Sequence, residues 1–188
     1  MTYRSLIVVV LSLYFIVLSY NISAEDAFLS KEQFLEKAFG EKAVKKESLR
    51  FKGEVKNTAQ KIMGSKYKKV LMRYWVGGQR TAWIINRIGK VKPITAGVII
   101  ENCKIVSIHV LVYRESHGWE IKYPGFRDQF KGIGMKNNYK LDKDIDGISG
   151  ATLSVNSMRI MTRLALAMHS LVPDMTCLYI FINVKKNP

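Results

Sequence analysis

A carboxylate and two hydroxyls fall within seven residues in the run Asp146, Gly147, Ile148, Ser149, Gly150, Ala151, Thr152, just ahead of a helical pattern. A hydroxyl so placed can carry a phosphate. Gly150 and Ala151 leave room for a large group, and the N–H groups that open a helix can receive an anion. The same residue types also begin helices purely as caps, and the residues alone leave both readings open. Other constellations fail on specificity. Gly132-Ile133-Gly134 is too short for a dinucleotide fingerprint, and no order of Ser, His and Asp suggests a hydrolase. Three histidines do not make a metal site, and Cys103 and Cys177 show neither metal nor redox spacing. No catalytic or metal-ligating residue is therefore expected, and separate, free thiols are favoured over a Cys103–Cys177 pair.

The elements that would position this run follow from periodicity. Beyond Thr152 comes the longest helical pattern, about 154–170, with Val155, Met158, Met161, Ala165, Met168 and Leu171 on one stripe. Packing on a sheet is favoured over a methionine-lined partner groove. From Tyr67, aromatic and β-branched residues predict strands over 70–76 and 81–88 around Gly77-Gly78. A second hairpin, 94–101 and 105–113, turns at Asn102 and Cys103, with Val98 and Ile100 alternating and then Val106, Ile108 and Val110 alternating. Residues 120–141 read as a glycine-dotted loop with a short helix at Phe126 and Phe130. Upstream, Ser30 is expected to cap a helix bearing Phe34, Leu35, Ala38 and Phe39, ended by Gly40. Residues 41–54 read as a charged surface connection, and a short helix is expected from Asn57 to Gly64. The apolar tail, 175–184, reads as an added edge strand. The whole is an α+β fold, an antiparallel sheet packed with helices.

An acidic residue, two spacers and Ser-Gly-Ala-Thr resemble the attachment signature of the FMN-binding domain family. That family includes the C subunit of sodium-translocating NADH:quinone reductase and the G subunit of the Rnf complex. The resemblance covers about residues 70–171, through Lys92-Pro93-Ile94, Tyr113 to Trp119, and Gln129 to Gly132. It implies FMN held covalently, its phosphate esterified to Thr152 by a magnesium-dependent flavin transferase, at the start of the last long helix. It implies that Ser149, Gly150 and Ala151 complete the motif and that Asp146 is the acidic residue the transferase recognises. It also implies that the loop Glu115, Ser116, His117, Gly118, Trp119 meets the flavin, with Trp119 stacking on the ring and Glu115 or Ser116 bonding its polar edge. Lys131 and Gln129 are the residues expected at the ribityl chain or phosphate. The respiratory members usually carry Glu-Thr-Pro-Gly-Leu-Gly where this chain reads Glu115 to Glu120, which makes it more similar to the small stand-alone members.

The N-terminus sets the compartment. Arg4 precedes an apolar run from Leu6 to Leu18 and then Asn21-Ile22-Ser23-Ala24, the pattern of a secretory signal over residues 1–24. A retained anchor is the alternative, although the run falls short of the ~20 residues needed to span a bilayer. A helical segment over 25–66 and the FMN-binding domain over 67–188 would follow. The expected location is the periplasm or the outer face of the inner membrane. A formal net charge of +15 points to an anionic membrane surface, a flavin phosphate or an acidic redox partner, with a plain solvated basic surface as the alternative for most of the lysines. Nucleic acid is not expected, because the lysines are scattered and an exported chain seldom meets it. The function expected is an electron carrier between a membrane redox protein and an extracytoplasmic acceptor. A small flavin-dependent reductase and a flavin-free scaffold module are the alternatives.

Overall fold

The computed structural model describes residues 28–175 and 177. The leader and nearly all of the expected tail strand lie outside the described residues. The first described helix, α1 (Lys31–Phe39), starts as its sequence predicts. The Gln33 backbone N–H donates to the Ser30 hydroxyl at 3.1 Å, and the Ser30 N–H donates to the Gln33 side-chain oxygen at 2.9 Å, a reciprocal cap. Gly40 ends the helix.

The chain then does what its charge obscured: β1 (Lys45–Arg50) pairs antiparallel with β2 (Leu71–Gly77). The expected surface connection over 41–54 is thus partly an edge strand. It was masked because nearly every residue in it is exposed, so no period-two apolar signal exists. Lysines on such an edge discourage pairing with a second chain. Helix α2 (Gly53–Met63) begins at Gly53, earlier than the expected Asn57, and ends before Gly64.

Strands β2, β3 (Arg80–Ile88), β4 (Pro93–Glu101) and β5 (Lys104–Val112) follow as two hairpins, and the five strands lie in the order β1-β2-β3-β4-β5. All pairings among the described strands are antiparallel, as expected for this α+β fold. The long helix α4 (Thr152–Ser170) is the last of the described elements, after a short helix α3 (Pro124–Arg127) that carries Phe126.

From β2 to β5 the sheet is covered on both faces. On one face α1 sets Phe34, Ala38 and Phe39 against Trp75, Ala82, Ile99 and Leu111. Its closest approach is at Gly97, where an added Cβ would lie 2.4 Å from the Phe34 ring. On the other face α2 and α4 cover Trp83, Ile85, Ile94, Val98, Ile100 and Ile108. The methionine stripe of α4 is core: Met158, Met161 and Met168 are buried here.

In β5 the expected alternation of Val106, Ile108 and Val110 does not hold. Ile108 and Val110 join the α4 face, whereas Val106 packs with the α1 face. A register irregularity lets Ile100 pair with Ile105 and Ile99 with Ser107, so Val106 is an extra residue that resets the period.

Cys103, in the β4–β5 turn, is disulfide-bonded to Cys177, with Cα atoms 5.7 Å apart. This corrects the expectation of free thiols. The physical reason is long-range: α4 carries the chain back toward the β2–β3 and β4–β5 turns, where Gln79 Nε2 also donates to the Asp174 carbonyl at 3.1 Å. At the other end of the sheet the Ser157 hydroxyl of α4 donates to the Ile88 carbonyl at 2.7 Å. Nineteen residues of helix, about 28 Å at 1.5 Å each, thus span between two ends of the sheet.

Candidate functional site

The Ser149–Thr152 run lies at the opening of α4. Gly150 adopts φ +77, and the Ala151 N–H donates to the Ile148 carbonyl at 3.0 Å, which closes a turn. The residue at the N-cap is Ala151, with no side-chain cap bond, and Thr152 is the first helical residue. The capping role that the sequence offered Thr152 is therefore not taken. Alanine is a poor cap because it has no acceptor for the N–H groups of the first turn. The first intrahelical bond into Ala151 comes from Val155, so the N–H groups of Thr152, Leu153 and Ser154 precede the ladder. Ser149, Gly150 and Thr152 are exposed, while Ala151 is buried. An anion at this terminus would meet N–H donors and the positive end of a long helix dipole. The residues therefore fit a phosphate: donors that no cap side chain occupies, and an exposed hydroxyl beside them.

A tyrosine and a glycine bring the loop after β5 to this helix end. Tyr113 is buried, its hydroxyl donates to the His117 carbonyl, and it lies 3.1 Å from the Ser154 hydroxyl. Since the phenol has one hydrogen, Ser154 is the donor in the second bond. Burial holds the Tyr113 pKa above its ordinary value, against a smaller lowering by the Ser154 bond, and so keeps it protonated. Gly118 has φ +83, and a Cβ there would meet Ala151 Cβ at 3.0 Å, Tyr113 Oη at 3.0 Å and Ser154 Oγ at 3.1 Å. Only glycine allows this approach. The 115–119 loop and the 149–152 turn, separate in sequence, are thus one surface.

The remaining residues divide into those that hold the frame and those that face outward. One carboxylate oxygen of Glu115, Oε1, accepts from the backbone N–H groups of Lys90, Val91 and Lys92 at 2.5, 2.6 and 2.9 Å. Burial works to raise its pKa, yet these N–H bonds and the Lys92 charge outweigh it and the carboxyl sits below its ordinary range. Glu115 therefore ties the β3–β4 turn to the loop. Ser116 and His117 are exposed and hydrogen-bonded to each other at 2.8 Å. Trp119 is 45% exposed, edge-on to Tyr123, with the Lys122 ammonium 5.1 Å from its ring centre. Beside it a cleft of about 340 Å³ is lined by Lys37, Lys122, Arg127, His109, Phe28 and Tyr123 among others. The Asp146 N–H donates to Gln129 Oε1 at 2.7 Å, and Arg159 of α4 donates to the Ile145 carbonyl, so the segment before the turn is pinned from two sides. Gln129, expected at the ligand, has its oxygen engaged by Asp146. Asp146 and Lys131 are exposed. Ser154 and its partner Tyr113 were not foreseen as positioning residues; a serine in a first helical turn carries no signal of a partner forty-one residues away.

Residues 89–167 match the family model of the FMN-binding domain, the family that the motif resembles. The match runs from the β3–β4 turn into α4, and holds every residue of the two converging loops. It supports FMN as the cofactor. No curated protein matches the chain.

Proposed function

With an FMN-binding domain over residues 89–167 as the premise, we propose that this chain is an exported flavoprotein that carries FMN covalently and relays electrons. The attachment atom is the Thr152 hydroxyl oxygen, joined to the FMN phosphate as an ester. The observation that carries this is the exposed Thr152 at the first position of α4, with an alanine in place of a capping side chain. The first-turn N–H groups hold the phosphate oxygens, and Gly118 keeps the neighbouring loop close enough to bound the same space. Trp119 offers an exposed indole for stacking on a flat ring, and Ser116 offers a hydroxyl at its edge. Bound FMN supplies the redox chemistry; the chain supplies position and access. The tether matters outside the cytoplasm, where a dissociable ligand at low concentration would be lost by mass action.

A magnesium-dependent flavin transferase is the modifying partner in this reading, with Asp146 as its recognition residue, and a membrane redox protein is the donor. Coexpression with a flavin transferase should add the mass of an FMN phosphoester to the Thr152 peptide. Thr152→Ala should leave denatured protein colourless. An unmodified Thr152 peptide after coexpression would overturn covalent attachment. Export rests on the leader pattern of residues 1–24, and intact mass from native material reads leader removal and flavin addition as separate shifts. The cationic cleft beside Trp119 favours one second reading, a reductase for a small anionic acceptor. Steady-state turnover by the isolated flavoprotein would select it.

A further inference from the structure

The end of the molecule opposite the Thr152 turn holds a cluster that the flavin chemistry does not use. Cys103, Cys177 and His169 present three ligand atoms, all within 4.8 Å of one another. They come from the β4–β5 turn, the tail and the last turn of α4, which is why no spacing rule detects them. His169 is 1% exposed, and its Nε2 has no hydrogen-bond partner among the described residues. Its Nδ1 lies 2.7 Å from the Thr81 hydroxyl, and that same oxygen accepts from Trp83 Nε1 at 2.8 Å. With Trp83 donating to one lone pair of Thr81, an Nδ1–H can donate to the other. The Nε2 lone pair is then left facing no donor, in the tautomer that ligates metals.

We propose that reduction of the Cys103–Cys177 disulfide turns this cluster into a zinc site with two thiolates and the His169 Nε2 as ligands. The reductant is a dithiol: two electrons and two protons pass to the cysteine sulfurs, the S–S bond breaks, and the dithiol becomes a disulfide. Zn²⁺ then displaces both thiol protons to solvent. Two thiolates, one dication and a neutral imidazole sum to zero charge, which suits a site whose His169 and Cys177 are buried. Two sulfurs and one imidazole nitrogen are ligands of zinc's ordinary set, with the fourth position left to water. Thr81 orients the imidazole, as an outer partner does in zinc sites generally. The oxidised and zinc-bound forms both join the β4–β5 turn to the tail that follows α4, so the site exchanges one staple for another. This is independent of flavin at Thr152.

The test uses the purified full chain, reduced with a phosphine, freed of it under anaerobic conditions, and titrated with Co²⁺ and then Zn²⁺. The expected result is a thiolate-to-cobalt charge-transfer band that saturates at one ion per chain, is displaced by zinc, and is absent from the oxidised protein. His169→Gln should weaken zinc binding at least tenfold, and Thr81→Val, which leaves all three ligands in place, by about tenfold. X-ray absorption of the reduced zinc-loaded chain reads the ligands directly, and two sulfurs with one imidazole are expected. No thiolate band in the reduced chain, or a zinc shell of oxygen alone, sinks the proposal. So does zinc binding unchanged by both substitutions.

Discussion

Gly118 decides how closely the proposed flavin site is built: alanine there forces a side chain into a left-handed backbone and against Ala151, Tyr113 and Ser154. Gly118→Ala should cost about 1–3 kcal/mol in urea unfolding and lower the yield of flavin attachment, because the loop must lift from α4. An unchanged midpoint would mean the loop is not pressed there. The buried histidines give the second residue-level prediction. Burial lowers His169 from 6.5 to about 4. Burial, with Arg127 and Lys37 adding and Asp128 opposing, lowers His109 to about 4. Each is neutral when folded and takes up a proton on unfolding below 6.5. Their contribution is whole above the unfolded value and is lost as pH falls toward the folded one. Stability measured by urea should therefore drop between pH 7 and about 5, by roughly 2 kcal/mol from His169 alone. The carboxylates of Glu101, Glu115 and Asp142 are all held below their ordinary values, so their losses fall at lower pH and do not mimic this slope.

Among the elements, α1 is attached through a close contact at a single position. Its Phe34 ring rests on Gly97 of β4, and no side chain fits between them. Gly97→Ala should displace α1 and cost about 1–3 kcal/mol, read as a lower urea midpoint and faster exchange of α1 amides. The proposed flavin end lies across the sheet and along α4, so the proposed attachment at Thr152 should survive this change; its loss would show the two faces to be coupled. The edge strand β1 teaches a different lesson. Exposed on nearly every residue, it is held by its ladder with β2 rather than by burial, and its lysines and arginine look like a linker. Helix α4 is the reverse case, a long apolar stripe that packs where its period says it must.

For the whole molecule, the disulfide closes a loop of 74 residues that contains the entire proposed flavin site. Loop-closure entropy puts its contribution at up to about 4 kcal/mol. Replacing both cysteines with serine should lower the unfolding free energy by a large part of that, with Thr152 still open to modification. A loss below about 1 kcal/mol would show that α4 holds the two ends of the sheet without the bond. The chain's charge belongs to this scale too. Thirty lysines and arginines against fifteen acidic residues favour an acidic partner surface, and in the proposed carrier role electron transfer to such a partner should slow as salt rises.

Local patterns were enough for strands β2 to β5 within a residue or two, the capped α1, the buried stripe of α4 and the Ser149–Thr152 turn. Each of these depends on residues a few places apart, and period and cap chemistry act at that range. The bulge at Val106 escaped because one extra residue breaks the period without any compositional mark. Folding alone brought Gly118 to Ala151, tied Glu115 to the turn at 90–92, and placed Cys177 and His169 beside Cys103. Those contacts join residues tens of positions apart, and their geometry is set by how sheet and helix pack, which no short window of sequence contains. The hydroxyl that can bear a phosphate was written in the chain; that it stands at a helix start with no capping side chain, under a glycine that lets a second loop close on it, came from the packing.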